Sequence, residues 1–126
     1  MEPDMHEVQV DAQSLYLPEQ SSPEEKRFVF AYTVTIRNTG AVAAKLLTRH
    51  WHITDANGKV ENVHGTGVIG EQPYLRPGES FQYTSGAVIE TPVGAMQGSY
   101  DLLDENGATF KADIAPFSLH VPGSLH

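Results

Sequence analysis

Apolar and polar residues alternate with a period of two along most of this chain, and the clearest stretch is residues 28 to 36. There Phe28, Phe30, Tyr32, Val34 and Ile36 interleave with Val29, Ala31, Thr33 and Thr35. A strand points successive side chains to opposite faces, so this pattern predicts a β-strand with a buried face. Asn38-Thr39-Gly40 ends it. A second strand is expected from about Ala44 to Thr54. Asp55-Ala56-Asn57-Gly58 closes it as a hairpin, because Asn and Gly tolerate positive φ. A short return strand over Lys59 to Asn62 follows. The middle of the chain then reads as irregular up to Pro77-Gly78, a pair suited to the centre of a type II turn. Strands are expected again over Ser80 to Ile89, Met96 to Leu103 and Ala108 to His120, with Asp104-Glu105-Asn106-Gly107 joining the last two.

Two strands change phase. In the last, Phe110, Ala112 and Ile114 are even-numbered but Phe117, Leu119 and Val121 are odd, and Pro116 sits at the switch. That predicts a bulge or an edge position. The first strand, His6 to Leu17, shows a similar slip between Val8-Val10-Ala12 and Leu15-Leu17. Apolar residues at helical spacing never persist for three turns, and Pro or Gly interrupts most windows. About seven short antiparallel strands with frequent turns predict an all-β, immunoglobulin- or fibronectin-III-like sandwich. Trp51 falls mid-strand, where immunoglobulin domains place a core tryptophan. Gly98-Ser99-Tyr100-Asp101-Leu102 looks like the G-x-Y-x-C segment of a tyrosine corner, with Leu102 in the cysteine position.

Length and composition narrow the picture. The 126 residues suit one domain, 1–126, of a size that buries roughly two-thirds of its unfolded surface. The chain has no cysteine, which removes disulfides, thiolate nucleophiles and cysteine-based metal sites. Eight Lys+Arg stand against sixteen Asp+Glu, a formal net charge of −8. The basic residues are scattered, so nucleic-acid binding, which needs a concentrated basic surface, is excluded. An anionic membrane surface would repel the chain for the same reason. No apolar run approaches the ~20 residues of a membrane span. The start, M-E-P-D-M-H-E, is acidic and lacks the apolar stretch of a secretory signal, so a cytoplasmic protein is expected.

The candidate chemistry centres on Gly65-Thr66-Gly67-Val68-Ile69-Gly70, a match to G-x-G-x-x-G. In a dinucleotide-binding unit a helix must follow. Here Glu71 to Gly78 contains Pro73, Pro77 and Gly78, and no Lys-Ser/Thr closes a phosphate loop. What remains is a Gly-rich loop. Its glycines either let the backbone turn and pass close to a neighbour, or present a nest of N–H groups to an anion or a partner's carboxylate. Arg49 and Arg76 would favour such an anion, whereas the acidic whole-chain field opposes it. Recognition is therefore expected within residues 64–73, on Gly65, Gly67, Gly70, Glu71 and Gln72, with Tyr74 as an aromatic anchor and Arg76 beside it.

His50 and His52 flank Trp51. If Trp51 points inward they share the outer face, and the Asp55–Gly58 hairpin brings His64 near them. Imidazoles suit zinc, copper or cobalt, so these three are the candidate metal ligands, against the plainer reading of solvated histidines on a sheet face. No G-x-S-x-G elbow exposes a serine. Asp101, Asp104 and Glu105 surround a hairpin turn, where acidic residues are ordinary, and no calcium-loop spacing is present. No catalytic residue, and no cofactor other than a divalent metal, is expected.

The string His64-Gly65-Thr66-Gly67-Val68-Ile69-Gly70-Glu71-Gln72-Pro73, then Leu75-Arg76-Pro77-Gly78-Glu79, resembles the ApaG family. Arg49-His50-Trp51, Tyr83-Thr84-Ser85-Gly86 and Met96-Gln97-Gly98-Ser99-Tyr100 extend the resemblance over nearly the whole chain. It implies a fibronectin-III or immunoglobulin-like sandwich. It also implies a bacterial cytoplasmic protein, often encoded beside a diadenosine-tetraphosphate hydrolase and linked by phenotype to cobalt resistance and magnesium efflux. Similar domains in eukaryotic F-box and DNA-polymerase-interacting proteins look like interaction modules, and no established enzymatic activity comes with the family. The first expectation is thus a non-catalytic module for a protein partner, recognised through the Gly-rich loop. The alternatives are a divalent-cation (cobalt or magnesium) efflux accessory or metal-binding protein, and nucleotide or pyrophosphate binding by that loop.

Overall fold

The computed structural model describes residues 5–124, so most of the acidic start, residues 1–4, lies outside it. Eight strands follow in chain order: β1 (Val8–Tyr16), β2 (Phe28–Asn38), β3 (Ala44–Asp55), β4 (Val60–Thr66), β5 (Tyr74–Leu75), β6 (Ser80–Ile89), β7 (Val93–Asp104) and β8 (Thr109–His120). Two single 3₁₀ turns, Pro18–Gln20 and Pro23–Glu25, join β1 to β2. One sheet has the order β1-β2-β6. The other has the order β4-β3-β7-β8, with β5 added to β3. All pairings are antiparallel, and the two sheets face each other across one core, an immunoglobulin-like sandwich.

The alternation of β2 is realised as expected: Phe28, Phe30, Tyr32, Val34 and Ile36 are buried. Trp51 enters from β3, 2% exposed. Its ring meets those of Tyr32, 5.2 Å away, and Phe117, 5.9 Å away, both edge to face. Each such pair adds about 0.5–1.5 kcal/mol beyond area burial. The phase change in β8 is a bulge: Met96 pairs Phe117 but Gly98 pairs Ile114, so Ala115 and Pro116 together oppose Gln97.

The slip expected in β1 does not exist. The register with β2 runs unbroken from Val8↔Asn38 to Tyr16↔Phe30. Even-numbered residues face inward throughout, and Leu15 is 67% exposed. An isolated surface leucine is ordinary in folded proteins, and here it imitated a change of face. Nor is Tyr100 a tyrosine corner. Its hydroxyl pairs with the hydroxyl of Tyr83 in the opposite sheet instead of with a backbone acceptor. Burial raises Tyr83 to about 12 and pushes Tyr100 higher still, so both stay neutral and joined across the core.

The two Asp-x-Asn-Gly segments fold alike. Asp55 Oδ1 accepts from the amides of Asn57 and Lys59, and Asp104 Oδ1 accepts from those of Asn106 and Ala108. Asp104 has a second partner: His6 Nε2 lies 2.6 Å from Oδ2, and the His6 ring stacks on Phe110 at 4.2 Å. That bond ties the start of the described chain to the far end of the larger sheet.

A Cβ on Gly98 would stand 2.0 Å from the His50 carbonyl oxygen, so β3 and β7 approach too closely there for a side chain. Gly98→Ala should cost at least about 2 kcal/mol, read as a fall in melting temperature of roughly 6–10 °C. The His6 bond, and next the Ala108 amide, hold the Asp104 carboxyl below its usual 3.8. A lowered folded pKa stabilises the fold above the unfolded value, and the effect is lost as pH falls through the folded value. Asp104→Asn should therefore lower the melting temperature at about pH 5, and the gap to the parent should narrow as the pH falls below 3.8. A gap constant over that range would show that ionised Asp104 does not hold the turn.

Candidate functional site

The middle of the chain is less irregular than its sequence predicts. β4 runs on to Thr66, pairing Thr54↔Val60 through Thr48↔Thr66, and β5 then takes up the same edge of β3 at Lys45↔Tyr74 and Ala44↔Leu75. Between the two stretches β3 carries one extra residue against β7, Leu47, where the register shifts between Leu46 and Thr48. The Leu47 carbonyl accepts from the Gly67 amide at 2.7 Å and from Gln72 Nε2 at 3.0 Å. The Leu46 amide donates to the Pro73 carbonyl at 2.9 Å. Residues 67–72 are thus a short excursion from an otherwise continuous edge, pinned at both ends to the bulge.

Inside the excursion Val68 and Glu71 exchange both backbone hydrogen bonds, at 2.8 and 2.9 Å. Gly67 has φ 64°, and a Cβ there would lie 2.2 Å from the Glu71 carbonyl oxygen, so only glycine fits. Val68, 0% exposed, plugs the core. Ile69 points the other way: it is 55% exposed and held at φ 42°, which is rare for a β-branched residue. Beneath the loop, Arg49 lies directly across from Gly65. A side chain at 65 would meet its guanidinium at 2.6 Å. Arg49 Nη1 donates to the carbonyls of Thr66 and Gly67, at 3.2 and 2.8 Å.

This geometry changes the reading of the loop. An anion nest needs free amides. Those of Gly67, Val68 and Glu71 are spent on Leu47, Glu71 and Val68, and Arg49 is engaged by carbonyl oxygens. Gly65 belongs to β4, and the Gln72 side chain serves the bulge. What reaches solvent is Ile69, Gly70 and the Glu71 carboxylate, with Tyr74 49% exposed farther along the edge. The Arg76 guanidinium lies 5.9 Å from the Tyr74 ring and 3.9 Å from Glu79. Sequence reasoning missed Leu47, Val68 and Ile69. Their single legible signal was an apolar pair, Val68-Ile69, inside a Gly-rich stretch.

The three histidines do gather on the outer face of the larger sheet. His50 pairs with His64 in register, and their rings stack at 4.2 Å with 7° between planes. His50 Nε2 and His52 Nδ1 each lie 3.2 Å from Asn62 Oδ1. Imidazole lone pairs lie in the ring plane, so parallel stacked rings do not converge on one ion. Among the described residues no group of three or more metal-ligating side chains is placed to hold one. Beside His50 and His52, the bare backbone of Gly98 and the Ala115-Pro116 bulge leave a shallow groove of about 440 Å³, also lined by Gln97, Ser99 and Asp113. None of the described helices is long and apolar enough to cross a membrane.

The comparisons with known proteins agree with this architecture. The ApaG domain family matches residues 18–104. The chain is 55% identical to protein ApaG of Pseudomonas putida and 57% identical to protein ApaG of Methylococcus capsulatus, in each case over 121 residues and 96% of both chains. It is also similar to a crystal structure described as an ApaA protein from Bordetella pertussis. That match has a TM-score of 0.93 and 46% identity, over 97% of this chain and 99% of that one. A second X-ray structure, a structural-genomics target, matches with a TM-score of 0.89 and 51% identity, over 94% of this chain and 90% of that one. With a family match over most of its length, full-length relatives above half identity and the same sandwich in solved structures, the chain belongs to the ApaG family.

Proposed function

We propose that this protein is a non-catalytic binding module of the cytoplasm that recognises a protein partner through the Gly67–Gln72 excursion. The observation that carries the proposal is Ile69. A β-branched residue in the left-handed region costs about 1–2 kcal/mol, and this side chain is nevertheless held there with 55% of its surface exposed. Meanwhile Val68, Leu47 and Arg49 lock the base of the loop. A rigid, strained projection bearing an exposed isoleucine suits docking into a partner's apolar pocket, because little conformational entropy remains to be lost on binding. Glu71 beside it and Tyr74 and Arg76 along the same edge supply polar and aromatic contacts at the rim.

The ionisable groups with displaced pKa values support a binding role over a catalytic one. Tyr83 and Tyr100 meet in the core, Asp104 caps a turn and Lys59 pairs with Glu90. Each has a structural partner within the fold, including Lys59, whose ion pair with Glu90 borders a small cleft beside Val88.

Ile69→Gly separates recognition from folding. Glycine relieves the strained φ but loses some burial and chain stiffness, so the variant should melt within about 4 °C of the parent. In affinity capture from native lysate, quantified by mass spectrometry, proteins enriched on the parent should be depleted on the variant by at least about tenfold, the equivalent of about 1.4 kcal/mol. An identical set of captured proteins would remove the loop from recognition.

A further inference from the structure

We infer that the groove on the outer face of the larger sheet is a binding site for an alkylguanidinium group, the head and stem of an arginine side chain. Two rows of outward side chains cross the sheet there. In one, His50 lies across from Ser99 and Ser99 across from Asp113. In the next, His52 lies across from Gln97, which meets the Ala115-Pro116 bulge. Directly opposed side chains of an antiparallel pair have Cβ atoms about 4.5–5.5 Å apart, so the strands themselves hold these groups side by side. The groove they border offers about 440 Å³, a size that admits a small ligand or a side chain.

The chemistry of the lining selects a cation with several donors. Asp113 is the one carboxylate in it, and no Lys or Arg lines it. Asp101, in the neighbouring row, is already engaged: Thr48 Oγ1 donates to it at 2.8 Å and Lys111 Nζ lies 3.6 Å away. Asp113 is exposed and enters no ion pair among the described residues. The other polar groups can all accept. Ser99 and Gln97 offer a hydroxyl oxygen and an amide oxygen. Asn62 Oδ1, on the far side of β3, accepts from His50 Nε2 and His52 Nδ1, each at 3.2 Å. A neutral imidazole that donates through one nitrogen accepts through the other, which leaves His50 Nδ1 and His52 Nε2 as acceptors. An anion would be opposed by Asp113 and by the net charge of −8, whereas a cation is drawn by both.

Shape selects guanidinium over ammonium. The acceptors are spread over two rows instead of being gathered about a point. A planar guanidinium offers five N–H donors in a fixed fork, where an ammonium offers three from one atom. Guanidinium is also the more weakly hydrated, which favours it in a groove open to water. Gly98 leaves bare backbone as the floor, on which a plane can lie. Ala115 and Pro116, both exposed, give the alkyl stem an apolar wall. The site shares no residue with the Gly67–Gln72 excursion and stands apart from the partner proposed for that loop.

An open groove with a single carboxylate binds weakly, so the dissociation constant should be on the order of 1–10 mM. Titrating the isotope-labelled full chain with ethylguanidinium, and with acetyl-Gly-Arg-Gly-amide, should shift the NMR amide signals of Gln97, Gly98, Ser99 and Asp113 saturably. A peptide at least about threefold tighter than ethylguanidinium assigns the site to an arginine of a partner chain, and any smaller ratio assigns it to a small free guanidinium compound. The same peptide with Lys for Arg should bind at least about threefold more weakly. With citrulline, which keeps the planar head but not the charge, it should bind at least about tenfold more weakly. Asp113→Asn should weaken the Arg peptide about threefold or more, and Gln97→Ala about twofold or more. Both positions are exposed, so melting should stay within about 2 °C of the parent. The absence of saturable shifts below about 50 mM overturns the proposal. So does a Lys or citrulline peptide that binds as tightly as the Arg peptide, or an Asp113→Asn chain whose affinity is unchanged.

Discussion

The organisation of this molecule depends on one extra residue in strand β3. Leu47 has no partner in the ladder with β7, and its displaced carbonyl collects the Gly67 amide and the Gln72 side chain. The Leu47 carbonyl stands where β4 ends, and its two bonds hold the chain as it leaves the sheet at Gly67 and returns at Tyr74. The bulge therefore sets where the loop begins, where it ends and which way it projects. Leu46 and Ala44, on the same strand, are buried in the core. The loop is thus fastened to a fully buried stretch of the larger sheet.

The core couples the two sheets by aromatic packing and by buried hydrogen bonds, among them the Asn38 side-chain amide donating to the Leu75 carbonyl. Trp51 takes edge-to-face contacts from Tyr32 in the smaller sheet and Phe117 in its own. Tyr83 and Tyr100 contribute hydroxyls that meet between the sheets. Pairing the two hydroxyls avoids the penalty of burying either alone, and it adds a directional bond that apolar packing lacks. Gly98 lets β3 and β7 approach closely beside Trp51. The same missing side chain, with the Ala115-Pro116 bulge, opens the groove on the outer face. Core packing and surface relief here are two consequences of one glycine.

Two parts of the surface are built unlike the rest. The loop presents a strained, exposed isoleucine on a fixed base, and the groove beside His50 and His52 presents the Asp113 carboxylate where a bulge interrupts the ladder. Each runs against a local preference, one of backbone conformation and the other of regular strand pairing. Departures of this kind concentrate where a protein meets something else.

The strands were legible because burial of one face imposes a period of two on residue identity. β2, β6 and the β7–β8 hairpin emerge close to their observed bounds for that reason, as do the two Asp-x-Asn-Gly turns, whose hydrogen bonds are local. Pro116 marked the bulge of β8 because proline cannot donate to a ladder. The same reasoning failed at Leu15, since periodicity records which residues are apolar and not which way they point; only the unbroken register with β2 decides that. The extension of β4 to Thr66, the existence of β5 and the fate of the glycine-rich amides were likewise invisible. They are set by backbone bonds to Leu46 and Leu47, some twenty residues away, and a backbone donor or acceptor has the same chemistry in every residue but proline. Sequence alone determined the class of fold, the position of the glycine-rich segment and the outer-face gathering of His50, His52 and His64. Tertiary structure decided that the segment engages the amides of Gly67, Val68 and Glu71 within the fold and turns its isoleucine outward, because only the folded chain brings the Leu47 carbonyl within reach.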